Sequence, residues 1–201
     1  MISIKFFYNS RFGQLEFEVF DGVYFPDEDS LLLAGVLEKF RKMFAGKKIL
    51  EMGCGCGFLS VLLSKLTKCE IVAVDINKEA VENTDLNARK NRANVLARQS
   101  DLFCNIEEKF DFIIFNPPYL PVSDEIEGRE WWSMLCKNGN IIERFAKESK
   151  IHLNKNGNAI LLYSSLSGDV PSILKKSGFA SKIVGKKKLD WEELRVVIYH
   201  Q

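Results

Sequence analysis

The stretch that most constrains this chain is Lys48 to Gly57, KILEMGCGCG. Lys48 to Met52 is a short apolar run with the length of a buried strand, and Gly53, Gly55 and Gly57 follow at alternating positions. From Phe58 onward, FLSVLLSKL repeats apolar residues at helical spacing. Strand, glycine loop and helix in that order make a nucleotide-binding turn. Alternating glycines let the backbone reach positive φ and let a ligand lie against the main chain. A dinucleotide fingerprint, G-x-G-x-x-G/A, needs Gly or Ala where this chain has Phe58, and a phosphate loop needs Gly-Lys-Ser/Thr where it has Gly-Phe-Leu. The strand also ends in a carboxylate, Glu51, which suits a ligand bearing an ammonium or hydroxyls better than one bearing phosphates.

Around this turn the chain alternates strands and helices. Ile2 to Asn9 and Gln14 to Phe20 flank Ser10 to Gly13 as a β-hairpin, an extension over 1–22 that lies ahead of the main unit as a lid or flank. In VYFPDEDSLLLAGVLEKF, Asp29 or Ser30 is the expected N-cap of a helix whose apolar stripe is Leu31, Leu32, Val36, Leu37 and Phe40. Glu28 and Asp29 at that helix start either compensate its dipole or touch a ligand. Glu70 to Asp75 (EIVAVD) is a second buried strand ending in an acid, placed to accept hydrogen bonds from two ribose hydroxyls. Asn77 to Asn91 reads as a polar-faced helix and Val95 to Arg98 as a third strand, followed by Ser100, Asp101, Leu102 and Phe103. A carboxylate at Asp101 can accept from an exocyclic amine while a neighbouring backbone N–H serves a ring nitrogen. Phe110 to Phe115 is a fourth strand and delivers Asn116, Pro117, Pro118 and Tyr119. Leu120 to Gly139 is irregular and carries Trp131 and Trp132, either substrate contacts or loop anchors. A helix over Asn140 to Ser149, a strand over Ala159 to Tyr163, a helix over Asp169 to Ser177, and strands over Ser181 to Gly185 and Leu194 to His200 complete the pattern. It predicts one α/β domain with a mostly parallel, doubly wound sheet over 23–201, and Glu51, Asp75, Asp101 and Asn116 all at strand ends.

E-x-G-x-G-x-G resembles the first motif of the class I S-adenosylmethionine-dependent methyltransferases, whose Rossmann-like sheet has seven strands. Methyl transfer from a sulfonium needs a lone pair aimed at the methyl carbon, and a planar amide or aromatic amine holds that pair in conjugation. A site that accepts both N–H hydrogens fixes the nitrogen and favours its developing sp³ character. Asn116 offers a side-chain carbonyl and Pro117 a backbone carbonyl, the two prolines stiffen the turn, and Tyr119 supplies a face for stacking. NPPY is similar to the signature of methyltransferases acting on planar nitrogen, namely the N6-adenine enzymes of RNA or DNA and the HemK-like glutamine N5 enzymes.

VYFPDEDSLLL, EMGCGCG, VAVDIN, SDLF, FNPPYLP and EELRVVIY follow the order and spacing of the short archaeal and eukaryotic HemK-like branch. The residues before Val23 leave no room for the helical domain that opens the bacterial branch. The resemblance implies that S-adenosyl-L-methionine is the cofactor. It implies that the substrate is the glutamine of the Gly-Gly-Gln motif in a class I translation termination factor, with a zinc-binding activator of the Trm112 type as possible partner. It places Gly53, Gly55 and Gly57 beside the cofactor, Glu51 near its methionine amine, Asp75 at its ribose, Asp101 at its adenine amine, Ile76 and Leu102 among the cofactor-binding residues, and Glu28 or Asp29 closing over it. Asn116 to Tyr119 would hold the acceptor amide, with Asn116 also bordering the cofactor. The departure from the family lies at EWWSMLCKNGNIIERF, where an Asp-Gly-Arg-like turn is usual and Lys137, Asn138, Gly139 and Asn140 match it only in part.

Composition narrows the partners. In 201 residues, 28 Lys and Arg face 27 Asp and Glu, so the net charge of +1 advertises no polyanion; the run Lys186 to Lys188 reads as a solvated turn. Five cysteines without a C-x-x-C spacing, with His152 and His200 as the only histidines, predict neither a zinc site nor a disulfide framework and fit a reducing compartment. MISIKFFYNSRF is not a cleavable leader, and no run approaches a membrane span, so a cytoplasmic, non-membrane protein is expected.

Overall fold

The computed structural model describes residues 3–118 and 141–200. Tyr119, the stretch 120–139 with Trp131 and Trp132, and the expected helix start at Asn140 lie outside the described residues. The strands are β1 (Ser3–Ser10), β2 (Gly13–Phe20), β3 (Lys48–Met52), β4 (Glu70–Asp75), β5 (Val95–Gln99), β6 (Phe110–Phe115), β7 (Leu153–Ser164), β8 (Ala180–Lys188) and β9 (Glu193–His200). The helices are α1 (Glu28–Phe40), α2 (Phe58–Thr67), α3 (Lys78–Lys90), α4 (Ile141–His152) and α5 (Val170–Lys176).

Seven strands form one sheet in the order β5-β4-β3-β6-β7-β9-β8, and β1 and β2 form a separate antiparallel pair. β5 through β7 pair in parallel; β9 pairs antiparallel with both β7 and β8. The α/β sheet and the amino-terminal hairpin read from the sequence are both present. Alternate residues of each central strand feed two cores. Ile49, Phe112 and Ile114 join α1, α2, α3 and the hairpin on one face, while Leu50, Ile113 and Phe115 join α4 and α5 on the other.

Features of α1 and β8 differ from expectation. The N-cap of α1 is Asp27, which accepts from the Glu28 N–H, because Asp29 is buried and bound elsewhere. The buried face of α1 is Asp29, Ser30, Leu33, Ala34, Val36 and Leu37, with Leu31 38% exposed, so the helix is rotated to bring Val36 against Gly185 of β8. A Cβ at Gly185 would lie 2.6 Å from Val36 Cγ2, and that close approach coincides with a register shift in β8. Lys186 to Lys188 are not a turn but the end of β8, with Lys186 paired to Glu193 and Lys187 to Glu28.

The hairpin is held by an asparagine ladder on α3. Asn91 accepts from the Glu16 N–H (3.2 Å), Asn87 from the Glu18 N–H (2.9 Å) and Asn83 from the Phe20 N–H (3.0 Å), while their amides donate back to Glu16 O and Glu18 O. Four residues of helix rise about 6 Å and two residues of strand about 6.7 Å, so the two periods run in step along β2. Asn87 also donates to Cys56 O at 2.8 Å, tying the hairpin to the glycine loop. Phe58, the residue that breaks the dinucleotide fingerprint, packs edge-on against Phe6, Tyr8 and Phe17 with ring centroids 5.0–5.4 Å apart.

Asn87→Ala should therefore destabilise the fold by about 1–3 kcal/mol for each of the two groups it strands, the Glu18 N–H and Cys56 O. Urea denaturation should show a larger loss than for Asn91→Ala, whose partners lie nearer the surface.

Candidate active site

The carboxyl ends of β3, β4 and β6, the segment after β5 and the start of α1 enclose one open cleft of about 1090 Å³, its mouth included. Its lining contains four carboxylates, Asp29, Glu51, Asp75 and Asp101, and among the described residues no lysine or arginine. That donor set repels phosphates and favours a ligand with an ammonium group, hydroxyls or amines.

Glu51 lies one residue from the end of β3, 4% exposed, and accepts a hydrogen bond from Ser60 Oγ of α2. Burial pushes its carboxyl up to about 8; the Ser60 hydrogen bond opposes this and the Asp75 charge adds to it. Asp75 ends β4 and organises the loop: Oδ2 accepts from the Gly55 N–H at 3.0 Å and Oδ1 from the Asn77 N–H at 2.9 Å. Burial raises its carboxyl as well, against the pull of backbone N–H groups from Gly55, Asn77 and Ile76. Each oxygen keeps a lone pair for an incoming hydroxyl. Asp101 follows β5 and takes one hydrogen bond from Arg144 Nη2 at 3.4 Å. Ile76 and Leu102 line the same wall.

Gly53 and Gly55 adopt φ of +65° and +54° and line the cleft; an added Cβ at Gly53 would meet Phe115 Cε2 at 3.1 Å. Gly57 does not line it. With φ of +79° it precedes α2, and a Cβ there would meet Thr84 within 2.9 Å, so its role is the close packing of α2 on α3. Cys54 and Cys56 are buried beneath the turn, where burial raises both thiols, Cys56 to about 12, and keeps them uncharged.

Glu28 is not part of the cleft wall either. Its Oε2 accepts from Lys187 Nζ at the end of β8. Asp29 is: 4% exposed, it accepts from Tyr24 OH at 2.9 Å through Oδ1 and from Asn116 Nδ2 at 3.0 Å through Oδ2. Asn116 follows β6 directly, and a longer contact of 3.4 Å joins its Nδ2 to Ser30 Oγ. Among the described residues, its Oδ1 is buried without a hydrogen-bond partner. Pro117 and Pro118 continue the wall. Tyr24 and Ser60 were not singled out in the sequence, and Ser30 only as a candidate N-cap, because each acquires its role in the site only through a partner on another element.

The chemistry of the lining suits a sulfonium nucleoside, which carries an ammonium, hydroxyls and an amine that can donate to carboxylates, and the positive-φ glycine turn leaves the backbone bare. Among the described residues, no group of three or more His, Cys, Asp and Glu is placed to hold a metal, and no helix is long and apolar enough to cross a membrane.

Residues 19–188 match the family described as "Methyltransferase small domain". The chain is 39% identical over 181 residues to a protein of Methanocaldococcus jannaschii named "Putative protein N5-glutamine methyltransferase", covering 87% of this chain and 90% of that one. It is 31% identical over 197 residues to the release factor glutamine methyltransferase of Bacillus subtilis, covering 94% of this chain and 62% of that one. Among solved structures it is similar to a chain of the E. cuniculi Mtq2–Trm112 complex, described as responsible for methylating the eRF1 translation termination factor. That similarity has a TM-score of 0.64 and 25% identity, and covers 90% of this chain and 99% of that one.

The raised carboxyl of Glu51 gives the cleft a pH signature. Folding takes up a proton on this group between its ordinary value near 4.5 and about 8, so its stabilising contribution is full below 4.5 and is lost as pH rises through about 8. Ligand-free Glu51→Gln should escape that loss, gaining on the wild type by at most about 1.4 kcal/mol per pH unit crossed in that window. Thermal unfolding between about pH 5 and pH 9 checks this.

Proposed function

The chain belongs to the methyltransferase small domain family, and from that premise we propose that it methylates the N5 nitrogen of a glutamine side chain, using S-adenosyl-L-methionine. The glutamine is that of the Gly-Gly-Gln motif of a class I translation termination factor. The observation that carries this is the Asn116 carbonyl, a buried acceptor with no partner among the described residues, at the end of β6 beside the carboxylate-lined cleft. A buried unpaired acceptor costs about 1–3 kcal/mol, which an incoming N–H donor recovers.

Glu51, Asp75 and Asp101 would hold the cofactor by its ammonium, ribose and adenine amine, with Gly53, Gly55, Ile76 and Leu102 beside it. When bound, the cofactor would supply an electrophilic methyl group, its sulfonium leaving as a neutral thioether, while the methylated nitrogen sheds one of its two protons to water at the open mouth of the cleft. The chain's own part is orientation. Asn116 Oδ1 accepts one N–H of the glutamine amide and the Pro117 backbone carbonyl accepts the other, which turns the nitrogen lone pair out of conjugation and toward the cleft. Pro117 and Pro118 restrict the turn, so little entropy is lost in aiming the two acceptors.

An N6-adenine acceptor would present the same two hydrogens to the same acceptors. The balanced net charge counts against a nucleic acid. By analogy with the Mtq2–Trm112 complex, a small zinc-binding protein of the Trm112 type is the expected companion of this chain.

Incubation with labelled cofactor and a termination factor, with and without a Trm112-type protein, tests the assignment. Label should enter the wild-type factor and not one whose Gly-Gly-Gln glutamine is replaced; equal labelling of both, or transfer to RNA or DNA alone, would refute it. Asn116→Ala should lower kcat about 10- to 100-fold while leaving most of the cofactor affinity in place.

A further inference from the structure

Asparagine's amide is nearly symmetric in shape, so packing alone does not decide which end faces a substrate. Only its hydrogen-bond partners do. At Asn116 the partner is Asp29. Oδ2 of Asp29 stands 3.0 Å from Asn116 Nδ2, and Ser30 Oγ, the next residue's hydroxyl, stands 3.4 Å from the same nitrogen. Asp29 is itself fixed: it is 4% exposed, it accepts from Tyr24 OH at 2.9 Å and from the Ser30 N–H, and it sits in the first turn of α1, which Asp27 caps. A carboxylate only accepts hydrogen bonds, so it admits the Asn116 amide with nitrogen inward and carbonyl outward.

From this we propose that Asp29 is a positioning residue, setting the Asn116 amide so that its carbonyl, not its NH₂, faces the acceptor. The inference rests on the assignment of Asn116 Oδ1 as the partner of the acceptor amide. Were the amide reversed, Oδ1 would meet the Asp29 carboxylate and Nδ2 would meet the acceptor's own N–H groups, donor against donor. An Oδ1 that is buried and, among the described residues, without a partner is the state the Asp29 contact enforces. The acid is therefore more than a helix-terminal charge: it selects for an acceptor that donates. Tyr24, between the hairpin and α1, holds Asp29 in the orientation that does this.

Two measurements test it, one independent of turnover. The side-chain amide ¹H–¹⁵N signals of Asn116, identified by their loss in Asn116→Ala, should move in Asp29→Ala and stay in place in Asp27→Ala, which weakens the same helix start without touching Asn116. Movement in both variants, or in neither, would overturn the proposal. In steady-state assays Asp29→Ala should lower kcat about tenfold or more, with the cofactor Kd changed less than about twofold. In an Asn116→Ala background the same substitution should cost nothing further. Asp29→Asn, which keeps the shape and one acceptor, should restore part of the activity and serves as the variant of record if Asp29→Ala fails to fold. Additive losses, or a cofactor Kd that rises by the factor kcat falls, would make Asp29 a cofactor contact and overturn the proposal. If no acceptor is methylated at all, the assignment of function fails while the amide signals still decide the role of Asp29.

Discussion

The site depends on the parallel pairing of β3 with β4 on one side and β6 on the other. Parallel strands end at the same edge, so Glu51, Asp75 and Asn116, which lie far apart in sequence, arrive together: Glu51 pairs across to Ala73 and Ile114, each two residues before Asp75 or Asn116. Crossover helices leave in opposite directions from this point, and the gap they leave is the cleft. Asp75 then closes the arrangement by holding the Gly55 N–H, so the same carboxylate that faces the cleft also shapes the loop opposite it.

An isolated two-stranded hairpin is marginal in water. Here β1 and β2 persist because α3 supplies what a third strand would, three asparagines in step with the β2 backbone, and because Phe58 anchors three aromatic rings of the hairpin. The hairpin thereby becomes part of the active-site scaffold: it leads through Val23 and Tyr24 into Asp29, while its far side is tied to Cys56 of the glycine loop through Asn87. It is a buttress for the cleft wall.

Strong local patterns made most of this legible in the sequence. The apolar runs of β3, β4 and β6, the positive-φ glycines and the acids at strand ends each announce themselves within ten residues, and the structure has them where the pattern puts them. Long-range contacts account for the differences. Asp27, Glu28 and Asp29 are all competent to cap a helix; Asp27 does so because Tyr24 and Asn116 claim Asp29 and Lys187 claims Glu28, and no local signal ranks the three. β7 starts six residues ahead of Ala159, because its polar opening, LNKNGN, includes Asn156 at a φ of +65° and pairs only across a register shift in β6. Gly57 looks identical to Gly53 and Gly55 in the motif, yet Thr84 explains it. The asparagine spacing 83, 87, 91 is visible in the sequence and was readable as a helix face with a backbone partner.

The central claim is that strand-tip carboxylates hold a sulfonium nucleoside with its methyl group directed at an amide acceptor. Titration calorimetry with S-adenosyl-L-methionine on wild type and Asp75→Ala, any required companion protein present, addresses it most directly. One site per chain, weakened about tenfold or more in the variant, is the predicted result. No heat with the wild type, or equal affinity in both, would contradict it.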